Sequence, residues 1–266
     1  MTDSLLRARI EFHESASTRH RSQTETRRLE LLLRLGAAGL LLLFLTGCSS
    51  KTVFQSGFNS NAVGSVPSPN QTVGTVSVSG AQGGVVIATP VANSGNWAQI
   101  QRTAGQTAPI SAMQCNFSPY QPNGSYSTAA VLFIPSGSGL ASLEFDTAPQ
   151  ASPPSQGFLH LDFGDFTVNN TTHKNTVRIN DDNGQLFGTF PRDQFFSITV
   201  GMDINASSAT AHVNLFGTGA SGADDFNIVT SVFPLSMIQQ FGAVKFFMGS
   251  PWGGSFDAQN ILVTRQ

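Results

Sequence analysis

Two short runs carry the side chains best suited to chemistry. In Ser142-Leu-Glu-Phe-Asp146 and Leu159-His-Leu-Asp-Phe163, ionisable residues alternate with large apolar ones. Successive side chains of an extended strand point to opposite faces. Glu144 and Asp146 therefore project away from Leu143 and Phe145, and His160 and Asp162 away from Leu159, Leu161 and Phe163. Arg178, between Val177 and Ile179, follows the same pattern, as do Asp203, His212, Asn214 and Lys245. Two chemistries suit such a set. Carboxylates, an imidazole, amides and a guanidinium on one face can exchange hydrogen bonds with a hydroxyl-rich ligand. A carboxyl pair can also cleave a glycosidic bond, at a separation of about 5–5.5 Å with retention or about 6.5–9.5 Å with inversion. Positions i and i+2 of a strand lie roughly 6.5–7 Å apart, which keeps Glu144 and Asp146 in range. A solvated outer sheet face shows the same alternation, but here much of the chain's scarce charge falls on the one predicted face.

The elements that must position these residues are strands. Period-two alternation recurs throughout, and each run ends at a Gly, Asn, Asp, Ser or Pro cluster. Strands are expected to start near Val53, Thr72, Gly84, Trp97, Ala112, Thr128, Ala141, Gly157, Asn175, Gln185, Phe195, Thr210, Val244 and Phe256, with one short helix over 234–242. Gly80-Ala-Gln-Gly83, Asn123-Gly124 and Asn183-Gly184 suit tight turns that need positive φ. A spacing of about ten residues without long helices implies two packed antiparallel sheets. The fold class is all-β, an antiparallel two-sheet sandwich of jelly-roll type. The abundance of Phe over Tyr and Trp, 21 against 2 and 2, suits a thick core between sheets.

Beyond residue 47 the chain holds seven Lys or Arg and eleven Asp or Glu, a formal balance of −4. No basic field exists to hold nucleic acid. Cys115 alternates with Met113 and Phe117 and reads as a buried core residue, without a neighbouring histidine to activate it.

The N-terminal region has a different character. Residues 1–34 carry seven Arg, and the uncharged apolar run from Gly36 to Phe44 is too short to span a bilayer at ~20 residues. Leu45-Thr46-Gly47-Cys48 follows at once and resembles the lipobox of bacterial lipoproteins. The resemblance implies cleavage before Cys48 and acylation of its thiol. Residues 1–47 are then a leader, 48–52 a lipidated tether and 53–266 the folded domain. Ser49 after the cysteine implies sorting to the outer membrane of the cell envelope, with the membrane as partner through the lipid. Thr26-Arg27-Arg28-Leu29 is faintly similar to a twin-arginine signal, but Glu30 stands where that motif has an apolar residue.

The opening Val53-Phe-Gln-Ser-Gly-Phe-Asn-Ser-Asn-Ala-Val-Gly-Ser-Val-Pro67 and the close Trp252-Gly-Gly-Ser-Phe-Asp-Ala-Gln-Asn-Ile-Leu-Val-Thr264 resemble the terminal strands of concanavalin A-like and laminin-G-like jelly rolls. Pairing of those two strands is what the resemblance implies. Glu144-Phe-Asp146 also resembles the first half of the glucanase motif Glu-x-Asp-x-x-Glu of this group. The second glutamate is absent, since Pro149 and Gln150 occupy its place. The expectation is therefore a domain that binds glycan without cleaving it, through Glu144, Asp146, His160, Asp162 and Arg178. A structural or adhesive envelope domain and a divergent glycoside hydrolase or lyase are the alternatives. No cofactor is implied. A structural calcium on Asp257 with carbonyls near Asn59 is the one candidate metal, and Asp181-Asp182-Asn183-Gly184 reads as a turn. Trp97, Tyr120, Tyr126 and Trp252 are candidates to stack on sugar rings, and His173 is expected in an exposed loop.

Overall fold

The structure is a computed structural model. It describes residues 50–106, 110–148, 157–179, 184–228, 235, 238, 240–249 and 253–266. Cys48, Trp252 and Asp181–Asn183 lie outside this set.

The described chain is an antiparallel sandwich of two sheets. The seven-stranded sheet runs, edge to edge, β10 (Leu186–Thr189), β9 (Thr171–Ile179), β8 (Gly157–Val168), β7 (Ala141–Thr147), β14 (Gln240–Met248), β5 (Ala112–Pro122) and β2 (Thr75–Ser79). The eight-stranded sheet runs β13 (Gly222–Asn227), β12 (Ala209–Phe216), β11 (Phe195–Ile204), β6 (Gly124–Phe133), β15 (Gly254–Arg265), β4 (Trp97–Arg102) and β3 (Val85–Ala88). Its eighth strand, β1 (Lys51–Ser56), pairs with the far half of β15, so the first and last strands close the domain as expected. The chain crosses repeatedly between the sheets, which is the jelly-roll organisation.

Alternation gives each sheet one apolar face, and the two faces meet in a single core. Leu143, Phe145, Leu161, Phe163, Val177, Val244 and Phe246 from one sheet face Ile100, Leu132, Ile198, Val200, Val213, Phe256 and Val263 from the other, all buried. Cys115 is fully buried between Met113 and Phe117, and burial pushes its thiol pKa up. Phe241 is the aromatic hub. Its ring lies 4.7 Å from Phe117, 5.2 Å from Tyr126, 5.7 Å from Phe158 and 6.0 Å from Phe145, mostly edge to face, the geometry that favours aromatic pairs.

Several expectations change. Gln240–Gly242, the end of the expected helix, belong to β14, and most of residues 234–239 lie outside the described set. Thr171–Lys174 form the start of β9 rather than a loop, and His173 is exposed on it. The hairpin turns through Asn169 and Asn170, whose φ of 50° and 61° suit the tight right-twisted connection. Gly80 and Gly83 do take positive φ, whereas Asn123-Gly124 does not. β13 had no expected counterpart, because it is an edge strand with Phe226 as its one buried residue.

Phe241→Ala is expected to cost about 3–5 kcal/mol, the usual range for a fully buried Phe, whereas Phe216→Ala, at an exposed site, should fall within about 0.5 kcal/mol of the parent. Denaturant midpoints of the two variants check this.

Candidate functional site

Strand pairing arranges the predicted polar residues in rows across the outer face of the seven-stranded sheet. In one row Arg178 of β9 stands opposite Asp162 of β8, Asp162 opposite Ser142 of β7, and Ser142 opposite Phe247 of β14. In the next, His160 stands opposite Glu144, Glu144 opposite Lys245, and Lys245 opposite Gln114 of β5. Asp146 follows one step further along β7, opposite Gly157 and Ala243. All five expected ligand-contact residues thus share one face, with Lys245 among them. Asp203, His212 and Asn214 do not. They sit on β11 and β12 of the other sheet, where His212 Nδ1 lies 2.8 Å from Asp225. Alternation reports which side of a strand a residue takes, not which sheet holds the strand.

The face is not simply solvated. Asp162 is 2% exposed and Asp146 4%, so each needs a partner or a proton. Asp162 has partners: Ser142 Oγ donates to its Oδ1 at 2.7 Å, and Arg178 Nη2 donates to its Oδ2 at 2.7 Å. His160 Nε2 lies 3.3 Å from Oδ1. The Arg178 guanidinium in turn lies over the Phe166 ring, 4.7 Å from its centroid, which holds the fork in place. Lys245 Nζ donates to Glu144 Oε1 at 2.8 Å and sits 4.9 Å from the Phe247 ring, which also lies 5.3 Å from His160. Gly157 makes room for this arrangement, since a Cβ there would stand 2.5 Å from Glu144 Cδ.

Asp146 has no cation of its own and is pushed toward its protonated form instead. Burial pushes its pKa up to about 7, the Glu144 charge and a hydrogen bond to Glu144 add to this, and Lys245 opposes it. Two adjacent carboxyls that hydrogen-bond to each other share one proton. The face thus offers two compensated ion pairs, an acid with a raised pKa and a partly exposed imidazole, with Phe247 as its partly exposed apolar component. Phe247 was not singled out from sequence, although its position directly after core-facing Phe246 puts it outward by the same alternation. Two of the aromatic residues proposed to stack on sugars pack away from this face. Tyr126 is buried in the core with its hydroxyl on the Pro122 carbonyl, and Trp97 is 3% exposed, stacked 4.9 Å from Phe195 on the other sheet. Tyr120 is exposed.

Asp257 lies on β15 with 0% exposure. Its Oδ1 accepts from Gln99 Nε2 at 3.1 Å, and its Oδ2 has no partner. Burial pushes its pKa up to about 7, against the Gln99 hydrogen bond. Asn59 Oδ1 is engaged by the Asn96 backbone N–H and by Gln259 Nε2, and among the described residues no three His, Cys, Asp or Glu gather to hold a metal. One carboxylate falls well short of the six to eight oxygens calcium takes, so the residues there do not fit the expected ion.

No family model matches the chain, and no curated protein is a significant match. It is similar in architecture to solved lectins and carbohydrate-active enzymes. Lectin II from Ulex europaeus is 13% identical with a TM-score of 0.48, over 81% of this chain and 100% of the lectin. An endo-1,3-beta-glucanase from Streptomyces sioyaensis is 14% identical with a TM-score of 0.48, over 82% and 97%. A carbohydrate esterase from the Shiga toxin-encoding bacteriophage phi24B is 8% identical with a TM-score of 0.49, over 82% and 100%. At such identities and scores, what those proteins bind or cleave stays with them.

The two raised carboxyls set a pH dependence. Asp146 and Asp257 hold a proton when folded up to about pH 7 but release it near 3.8 when unfolded. The native state therefore binds more protons across that window, and stability falls as pH rises through it. The melting temperature is expected to be higher at pH 5 than at pH 8, with Asp257→Asn raising the pH 8 value and flattening the difference. Arg178→Ala strands the buried Asp162 charge and should cost about 1–3 kcal/mol, read from denaturant unfolding at pH 7.5.

Proposed function

We propose that this chain is a lipid-anchored envelope protein whose jelly-roll domain binds glycan, without cleaving it, on the outer face of the seven-stranded sheet. The observation that carries the binding reading is the pair of neighbouring rows that bring Lys245, Glu144 and His160, and Asp162 and Arg178, together across four adjacent strands. Each charge is compensated by a neighbour through a bond of 2.7–2.8 Å. Such a face presents fixed donors and acceptors at low net charge, which suits vicinal sugar hydroxyls better than a strongly charged partner. Phe247, partly exposed beside Lys245 and His160, supplies the apolar surface on which a pyranose face rests. Binding of this kind is weak per site and gains from multivalency at a surface. The anchoring reading is supported by the apolar run and the lipobox-like residues ending at Cys48, and it places the domain at the outer membrane.

A second reading, a divergent hydrolase, is favoured by one observation. The carboxyl of Asp146, pushed up to about 7 beside Glu144, is protonated at the pH where a general acid is needed. The missing second glutamate favours binding.

Glycan-array and polysaccharide pull-down experiments with the full chain in detergent test both readings. Selective retention of a polysaccharide is expected, reduced about tenfold or more in Glu144→Gln/Asp162→Asn, with no new reducing ends released. Release of reducing ends that stops in Asp146→Asn would favour the hydrolase, and no binding to any glycan would favour a structural envelope domain. Cys48→Ser is expected to move the protein from the membrane to the soluble fraction.

A further inference from the structure

A second site lies away from the polar face, at the end of the sandwich where β4 leaves the eight-stranded sheet. A pocket of about 410 Å³ opens there, lined by Gln82, Gln101, Arg102, Thr103, Ser111 and Ser255 together with glycines of the 83–84 turn and Gly254. The volume falls in the roughly 300–1,000 Å³ range of small-molecule sites. Arg102 is 5% exposed, yet it makes no ion pair among the described residues. Its Nη1 donates to the Met248 carbonyl at 3.1 Å and its Nη2 to the Gln106 carbonyl, while Nε has no partner. Ser111, 1% exposed, approaches so closely that a Cβ on Gly84 would fall 1.8 Å from its Oγ, and that Oγ also has no partner. A buried guanidinium held only by neutral carbonyls keeps its charge uncompensated, which protein interiors avoid unless a counter-charge is supplied. No Asp or Glu is among the described lining residues.

We propose that this pocket binds a carboxylate-bearing sugar, of the uronic acid class, with the carboxylate set against the Arg102 guanidinium and the hydroxyls met by Gln82, Gln101 and Thr103. The guanidinium supplies the planar fork that carboxylates match. The surrounding amides and hydroxyls exceed what a bare inorganic anion needs, and this singles out a polyhydroxylated ligand. Gln101 Nε2 is committed to the Gly83 carbonyl at 2.5 Å, which leaves its amide oxygen as an acceptor for a sugar hydroxyl. The site is independent of the seven-stranded sheet face, so an acidic polysaccharide could be held at two places on one domain.

The test is an amide chemical-shift titration of the full chain in detergent with glucuronate, glucose and sodium sulfate in parallel. Glucuronate is expected to perturb the Gly83, Gly84 and Ser111 amides and to bind about tenfold or more tighter than glucose and sulfate, weakening as salt is raised. Thr103→Trp, which obstructs the pocket from an exposed position, should abolish binding, and so should Arg102→Gln. Unfolding of Arg102→Gln would leave Thr103→Trp to decide. Glu144→Gln/Asp162→Asn should leave glucuronate binding intact. Equal binding of glucose or of sulfate, or full binding by Thr103→Trp, would overturn the proposal.

Discussion

The insertion of β14 between β5 and β7 is the constraint on which the rest of the molecule depends. Its neighbours are contributed by residues 112–122 and 141–147, so the middle of the seven-stranded sheet stays open until the chain has nearly ended. β15 plays the same part in the other sheet, between β6 on one side and β1 and β4 on the other. Both sheets are therefore completed by long-range pairings of high loop-closure cost. The same strand serves the core and the polar face. Phe241, Val244 and Phe246 enter the core, while Lys245 and Phe247 emerge beside Glu144 and His160. A one-residue slip of β14 would exchange these two sets.

Buried acids are few and are either paired or pushed toward protonation. Asp162 meets Arg178 and Ser142, the half-buried Glu144 meets Lys245, and the two buried acids without a cation of their own, Asp146 and Asp257, lie on opposite sheets with pKa values pushed up to about 7. The polar face is thus electrostatically closed on itself, with Glu144, His160, Arg178, Lys245 and Phe247 partly exposed above the buried Ser142, Asp146 and Asp162. Arg102 departs from this pattern, which is why the pocket beside it stands out.

Much of the fold and of the polar face was legible in the sequence, because two-sided burial leaves a period-two signature. Leu143/Glu144/Phe145/Asp146 and Leu159/His160/Leu161/Asp162 show it strongly, and the pairing of β1 with β15 followed from the terminal resemblance. Alternation is silent on sheet membership, so Asp203 and His212 were assigned to the wrong face. It is silent too where a strand is almost wholly exposed: Thr171–Lys174 are exposed throughout and Gly222–Asn227 bury only Phe226. Trp97 and Tyr126 drop out as sugar-stacking candidates for another reason. Aromatic identity does not report burial, and Trp97 and Tyr126 are buried while Phe247 is partly exposed. The Arg102 pocket had no sequence signal, because it depends on where β4 ends against Met248 and residues 83–84.

The most direct measurement is amide chemical-shift mapping of the full chain with the best-retained oligosaccharide. The account predicts shifts concentrated at 142–146, 160–162, 178 and 245–247, on the outer face of the seven-stranded sheet. Shifts confined to β11, β12 and β13, with that face unchanged, would contradict it.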